Sequence, residues 1–227
     1  MAQITDLFIY PVKSLKGIAL NESMTALRGL KYDREWMVTT SDYEFITQRE
    51  IPLMSMIEVS IDPDALTLSS KNNTKFQVPL LLSSTTVIKA SVWGDICDAF
   101  DEGDDVSLWL TSLLGQYKNK SLRLVRYSSQ GIRPVPAKYL NGVGAQSAFS
   151  DQFPYLITSW ESLEKLNKGL IKNGSQVAEM DRFRPNIVIK GIDNLEKKTS
   201  QNLLCQKSGY DFGLRKPCKR CKIITIN

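Results

Sequence analysis

The apolar positions in the first half of the chain fall in short runs rich in β-branched and aromatic residues. Asp, Pro, Asn and Ser separate them. This pattern predicts strands at Ile4–Val12, Glu35–Thr39, Val59–Ile61, Leu66–Leu68, Val78–Leu82 and Thr86–Val92, with turns at Asp62–Asp64 and Lys71–Thr74. Pro11 marks an edge or exit, because proline cannot donate to a ladder. A different period begins after Gly103. Val106, Trp109, Leu110, Leu113 and Leu114 recur at helical spacing, with Gly103–Asp105 as the cap and Gly115 as the stop.

Ser121–Tyr127 returns to the strand pattern, and Ser128–Ala148 is loop-like, with Gly131, Pro134, Pro136, Gly142 and Gly144. Thr158-Ser-Trp-Glu161 predicts a capping box opening a second helix whose buried face is Trp160, Leu163, Leu166 and Leu170. Asn186–Ile189 and Lys222–Ile226 read as further strands. The predicted class is mixed α+β, predominantly β, with a barrel or sandwich as its frame.

Composition narrows the chemistry. The 227 residues suffice for one large domain or two small ones with a sizeable core. No apolar run reaches the roughly 18–20 residues of a membrane helix. The N-terminus lacks the basic start and apolar core of a secretory signal, so a cytoplasmic location is expected. The net charge of +5 is too weak to argue for nucleic acid, and no stripe of alternating basic and aromatic residues supports it. The chain contains no histidine, which excludes His-dependent nucleophiles and every His-ligated zinc site.

The candidate chemistry is concentrated near the C-terminus. Cys218 and Cys221 form a C-x-x-C pair among Arg215, Lys216, Lys219, Arg220 and Lys222. Nearby cations favour the thiolate, the form that binds metals and attacks electrophiles. Alone, the pair fits half a zinc site completed by Cys97 and Cys205, a dithiol redox pair, or two inert cysteines. Arg182-Phe-Arg184-Pro-Asn186 sets two guanidinium forks and an amide before a strand, a combination suited to phosphate or carboxylate. Lys13-Ser14 and Arg34 lie at other strand ends, where solvated loop residues are the default.

Together these segments carry a resemblance. Pro11-Val-Lys-Ser14, Asp33-Arg34, Thr47-Gln-Arg49, Ser150-Asp-Gln-Phe-Pro-Tyr155, Phe183-Arg-Pro-Asn186 and Pro217-Cys-Lys-Arg-Cys221 occur in the order, and at roughly the spacing, of MOSC-domain proteins of the mitochondrial amidoxime-reducing component and bacterial YcbX type. The resemblance runs from about Ile4 to Thr225.

It implies a MOSC N-terminal β-domain over residues 1–125, including the helix near 104–115, and a β-barrel MOSC domain over 126–227 that lacks its last strands. It also implies a molybdenum cofactor, a pterin dithiolate carrying Mo and a phosphate. Cys221 matches the Mo ligand, and Asp151 an acidic residue close to the metal. Lys13, Ser14, Arg34, Arg184 and Asn186 match positions that hold the pterin and its phosphate; Arg182 falls just before that motif. At domain level the resemblance further implies pyridoxal phosphate binding. The implied activity is reduction of small N-hydroxylated compounds to amines, with electrons from a separate donor protein and no membrane partner. Alternatives are a non-catalytic carrier of the cofactor or of sulfur, and a structural protein with an inert or zinc-binding C-x-x-C pair.

Overall fold

The computed structural model describes residues 2–82, 86–193, 195, 198 and 201–226. The chain is predominantly β, with two α-helices among the described residues. Its main sheet has five strands: β2 (Val12–Lys13), β6 (Trp36–Thr40), β10 (Val87–Val92), β11 (Asp95–Asp101) and β12 (Leu122–Tyr127), in the order β10-β11-β12-β6-β2. All five residues of β6 are buried, because the sheet is covered on both faces. Trp36 and Val38 point into the larger core, and Met37 points into a second one with Val125, Tyr127 and Phe149. The larger core is closed by the meander β7 (Glu58–Ile61), β8 (Ala65–Ser69) and β9 (Lys75–Pro79), and by α1 (Asp104–Leu114), which buries Val106 and Leu110.

A second sheet joins the two ends of the sequence. β1 (Gln3–Ile9) pairs antiparallel with β3 (Ile18–Leu20) on one side and with β14 (Ile187–Lys190) on the other. β13 (Ile157–Ser159) then runs parallel to β14. Helix α2 (Trp160–Lys172) follows β13, and Leu163 packs beside Met180 and Val188 in a small third core. Two hairpins complete the strands: β4 (Thr25–Ala26) with β5 (Gly29–Leu30), and β15 (Asn202–Leu204) with β16 (Asp211–Gly213).

Several sequence expectations change. The run expected at Ile4–Val12 breaks at Tyr10–Pro11. The Tyr10 N–H is taken by the Asp33 carboxylate at 2.8 Å and Pro11 has no N–H, so β2 leaves for the other sheet. No barrel closes among the described residues: the sheet holding β13 and β14 has four short strands and open edges, too few to wrap around. The helix cap shifts by one residue. Ser159, not Thr158, accepts the Ser162 N–H, and Thr158 lies in β13. Leu166 is 41% exposed rather than part of the buried face. The strand expected at Val78–Leu82 is β9, which ends at Pro79, and Lys222–Thr225 is a single 3-10 turn, not a strand.

Candidate anion and cofactor site

The corner between the two sheets gathers residues distant in sequence. The parallel pairing of β2 with β6 sets Lys13 opposite Met37. Arg34, just before β6, donates its backbone N–H to the Tyr10 carbonyl and accepts from Phe149 N at 3.0 Å. The β1–β14 pairing brings in the Met180–Phe183 turn, which ends at Arg184. As a result, the Arg34 and Arg184 guanidinium carbons lie 4.3 and 4.2 Å from the centroid of the same ring, Tyr10. Arg34 Nη2 donates to the Arg184 carbonyl at 3.1 Å, and Arg184 Nη1 to the Leu15 carbonyl at 2.7 Å. The Asp33 carboxylate, which already accepts the Tyr10 N–H, also accepts from Arg34 Nη1 through both oxygens, at 2.7 and 2.6 Å.

Lys13 is 6% exposed. Its ammonium donates to the Phe149 carbonyl at 2.9 Å and to Asp151 Oδ1 at 2.6 Å. The Trp93 indole N–H reaches the same Oδ1 at 3.0 Å, and the Arg49 guanidinium lies 4.5 Å above the Trp93 ring. The loop carrying Asp151 is clamped by Arg133, which donates to the carbonyls of Ala148, Ser150 and Asp151 and pairs with Asp95 at 2.8 Å. Ser14, Arg34, Trp93 and Arg184 all have left-handed backbones, with φ of 67°, 51°, 55° and 52°. Each costs roughly 1–2 kcal/mol for a non-glycine residue, and such strain persists where surroundings impose it.

Cations outnumber carboxylates here, and burial shapes their proton affinities. Arg184 is lowered to about 10, first by burial and then by the charge of Arg34. Lys13 is lowered by burial, against the pull of Asp151. Tyr10 is raised to about 12 by burial, although both guanidinium groups oppose this, so its phenol stays neutral. The Nη2 of Arg184 is buried with no hydrogen-bond partner among the described residues. A buried charged donor left unsatisfied is costly, and an anion would satisfy it.

For Asp151, burial raises the pKa, but the Lys13 charge and hydrogen bond, with the Trp93 N–H, outweigh it and hold the group at about 2. Because the folded-state value lies below the ordinary one, the pair stabilises the fold above about pH 4. The contribution is lost as pH falls toward 2. The Asp151 side chain is 72% exposed, so solvent screening reduces the contribution to about 1 kcal/mol. Asp151→Asn is expected to cost that much at pH 6 and nothing near pH 2 in denaturant unfolding. A cost unchanged across the range would exclude the ion pair as its source.

Lys13, Arg34 and Arg184 therefore converge, with Ser14 buried at the adjoining turn. Asn186 is spent on the frame: its side-chain oxygen accepts from Leu156 N and its amide donates to the Phe8 carbonyl. Arg182 reaches the Ile224 carbonyl at 3.4 Å. Cys221 is exposed and precedes the Lys222–Thr225 turn. No hydrogen bond joins its thiol to Lys13, Arg34 or Arg184. Its segment is pinned by Arg220 Nη2 on the Phe183 carbonyl at 2.6 Å and by Lys216 on Gln152 at 2.9 Å, beside Arg184 and Asp151 respectively. Arg220 Nη1 points to Cys218 Sγ at 3.1 Å.

The four-cysteine arrangement is not formed. Cys97 is buried in the core on β11, and among the described residues no group of three His, Cys, Asp or Glu is set to hold a metal ion. Sequence reasoning gave no role to Tyr10, Asp33, Arg49, Trp93 or Arg133. Asp33 and Arg49 stood inside quoted motifs, but only the folded corner shows what they touch.

The chain is mostly β and gathers cations at a half-buried corner, and the comparisons identify the family. The MOSC N-terminal beta barrel domain matches residues 1–117 and the MOSC domain residues 145–227. The chain belongs to the MOSC family. It is 32% identical to mitochondrial amidoxime-reducing component 1 of Homo sapiens and 30% identical to that of Mus musculus, over 99% of this chain in each case. It is 30% identical over the same share to molybdenum cofactor sulfurase of Drosophila yakuba. The chain spans 66%, 65% and 28% of the lengths of these relatives. No helix among the described residues is long and apolar enough to cross a membrane.

Proposed function

We propose that this chain binds a molybdenum cofactor and reduces small N-hydroxylated compounds to amines. The observation that carries the proposal is the gathering of Arg34 and Arg184 over the Tyr10 ring, with one buried Arg184 nitrogen lacking a partner among the described residues and the Lys13 ammonium close enough to feel the Arg34 charge. That donor set fits an anionic, phosphate-bearing pterin, which needs forked and point-charge donors rather than histidine. The relatives named for amidoxime reduction and for molybdenum cofactor sulfuration support the same choice.

In this scheme Lys13, Ser14, Arg34 and Arg184 hold the pterin and its phosphate, while Arg182 and Asn186 fix the surrounding turn. The Cys221 thiolate ligates the metal, a soft ligand suited to it. When bound, the cofactor supplies oxygen-atom removal from an N–O bond, and the protein supplies binding and orientation. Asp151, held at about 2, is a carboxylate at neutral pH. It holds Lys13 and can accept a proton but does not store one. Electrons come from a separate donor protein, and we assign the reaction to the cytoplasm.

The test is metal analysis of the purified protein and of Cys221→Ala. Wild type is expected to carry close to one Mo per chain and the variant less than about a tenth of that, as loss of a thiolate ligand requires. Equal contents would remove Cys221 from the ligand role, and no Mo in wild type would end the cofactor proposal. The sulfurase relatives also favour a carrier role. Turnover of an N-hydroxylated amidine with an artificial electron donor separates the two, because a carrier gives none.

A further inference from the structure

The paired guanidinium groups rest on a residue to which no role is yet attached. Both Arg34 and Arg184 lie over the Tyr10 ring, at 4.3 and 4.2 Å, although like charges repel and no carboxylate among the described residues bonds Arg184. Tyr10 is 2% exposed. Its backbone is tied to the same unit: the N–H goes to Asp33, which also holds Arg34, and the carbonyl accepts from Arg34 N at 2.9 Å. The phenol oxygen is buried with no hydrogen-bond partner, so the hydroxyl does not fix the ring. One neighbour has made room for it. A Cβ at Gly17 would sit 2.4 Å from Tyr10 Cε1 and 2.8 Å from Cδ1.

We propose that Tyr10 is a positioning residue whose ring holds both Arg34 and Arg184 in place before an anion arrives, and that Gly17 is glycine to leave that ring in place. A ring's negative face attracts cations, so one ring can offset part of the repulsion between two guanidinium groups. Holding them assembled lowers the ordering cost when the ligand binds. The proposal rests on reading the corner as an anion site. It extends that reading from the residues that touch the anion to those that aim them. Because the face acts and not the hydroxyl, phenylalanine is predicted to substitute fully.

The experiment is calorimetric titration with inorganic pyrophosphate, on protein made in a host lacking pterin cofactor synthesis. Tyr10→Phe is expected to bind within about twofold of wild type. Tyr10→Leu and Gly17→Ala are expected to bind at least about tenfold more weakly, with circular dichroism unchanged. A Tyr10→Leu variant with wild-type affinity, or a Tyr10→Phe variant tenfold weaker, overturns the proposal. Should Tyr10→Leu fail to fold, Gly17→Ala decides, since it removes no group and its unchanged affinity would be equally fatal. Failure of wild type to bind pyrophosphate would instead overturn the anion-site reading itself.

Discussion

Arg184→Met is expected to bind pyrophosphate about 100-fold more weakly than wild type, as loss of a forked, charge-assisted contact implies, while its unfolding midpoint stays close to that of wild type. The two halves of this expectation have one cause. Arg184 is buried beside Arg34, its pKa is lowered to about 10, and its Nη2 has no partner. An uncompensated buried charge weighs against folding, and a methionine of similar length removes that cost. Against this stands the bond to the Leu15 carbonyl at 2.7 Å, so the net change in stability is expected to lie within about 1 kcal/mol of zero. Binding measured by calorimetry and stability by thermal unfolding should therefore separate. If both fall together, Arg184 is a structural arginine and the anion site has lost its central member.

Glu102→Leu should do the reverse, with a large loss of stability at a buried ion pair that includes none of the corner's cations. Glu102 Oε1 accepts from Arg126 Nε and from Trp36 Nε1, both at 2.6 Å, and the Glu102 and Arg126 side chains are 6% and 11% exposed. Arg126 also donates to the carbonyls of Pro79 and Leu80, which fastens the end of β9 to β12. Removing one member of a buried pair strands the other charge and costs roughly 3–5 kcal/mol. For a chain of this size that is a drop of about 10 °C in midpoint. The double variant Glu102→Leu, Arg126→Met should recover most of the loss, since an apolar replacement leaves no stranded charge. A single variant that costs under about 1 kcal/mol would show that the pair is screened by water.

The parts of the fold that could be read beforehand are those fixed by local pattern. α1 starts after Gly103 and ends before Gly115. Strands near Glu35–Thr39, Val59–Ile61, Leu66–Leu68, Thr86–Val92 and Ser121–Tyr127 recur within a residue or two. β11 was missed because Asp95, Asp98 and Asp101 break its apolar run. It is a strand because β10 and β12 flank it on both sides. The open sheets also lay beyond reach, since pairing partners are not encoded in spacing. At the site, Lys13, Arg34 and Arg184 were found by type and motif. Tyr10 and Arg133 were not, because their roles arise from stacking and from carbonyls presented by a loop with no regular pattern.

The register that seats the first strand against a late one bears on how the molecule is made. Phe8 and Asn186, joined across β1 and β14, are 178 positions apart. At 5–20 residues per second a ribosome takes about 10–35 s to cover that distance. Throughout that time the first strand has β3 on one side and nothing on the other, a bare edge open to stray pairing. The emerging polypeptide thus depends on whatever shields that edge until its distant partner leaves the exit tunnel.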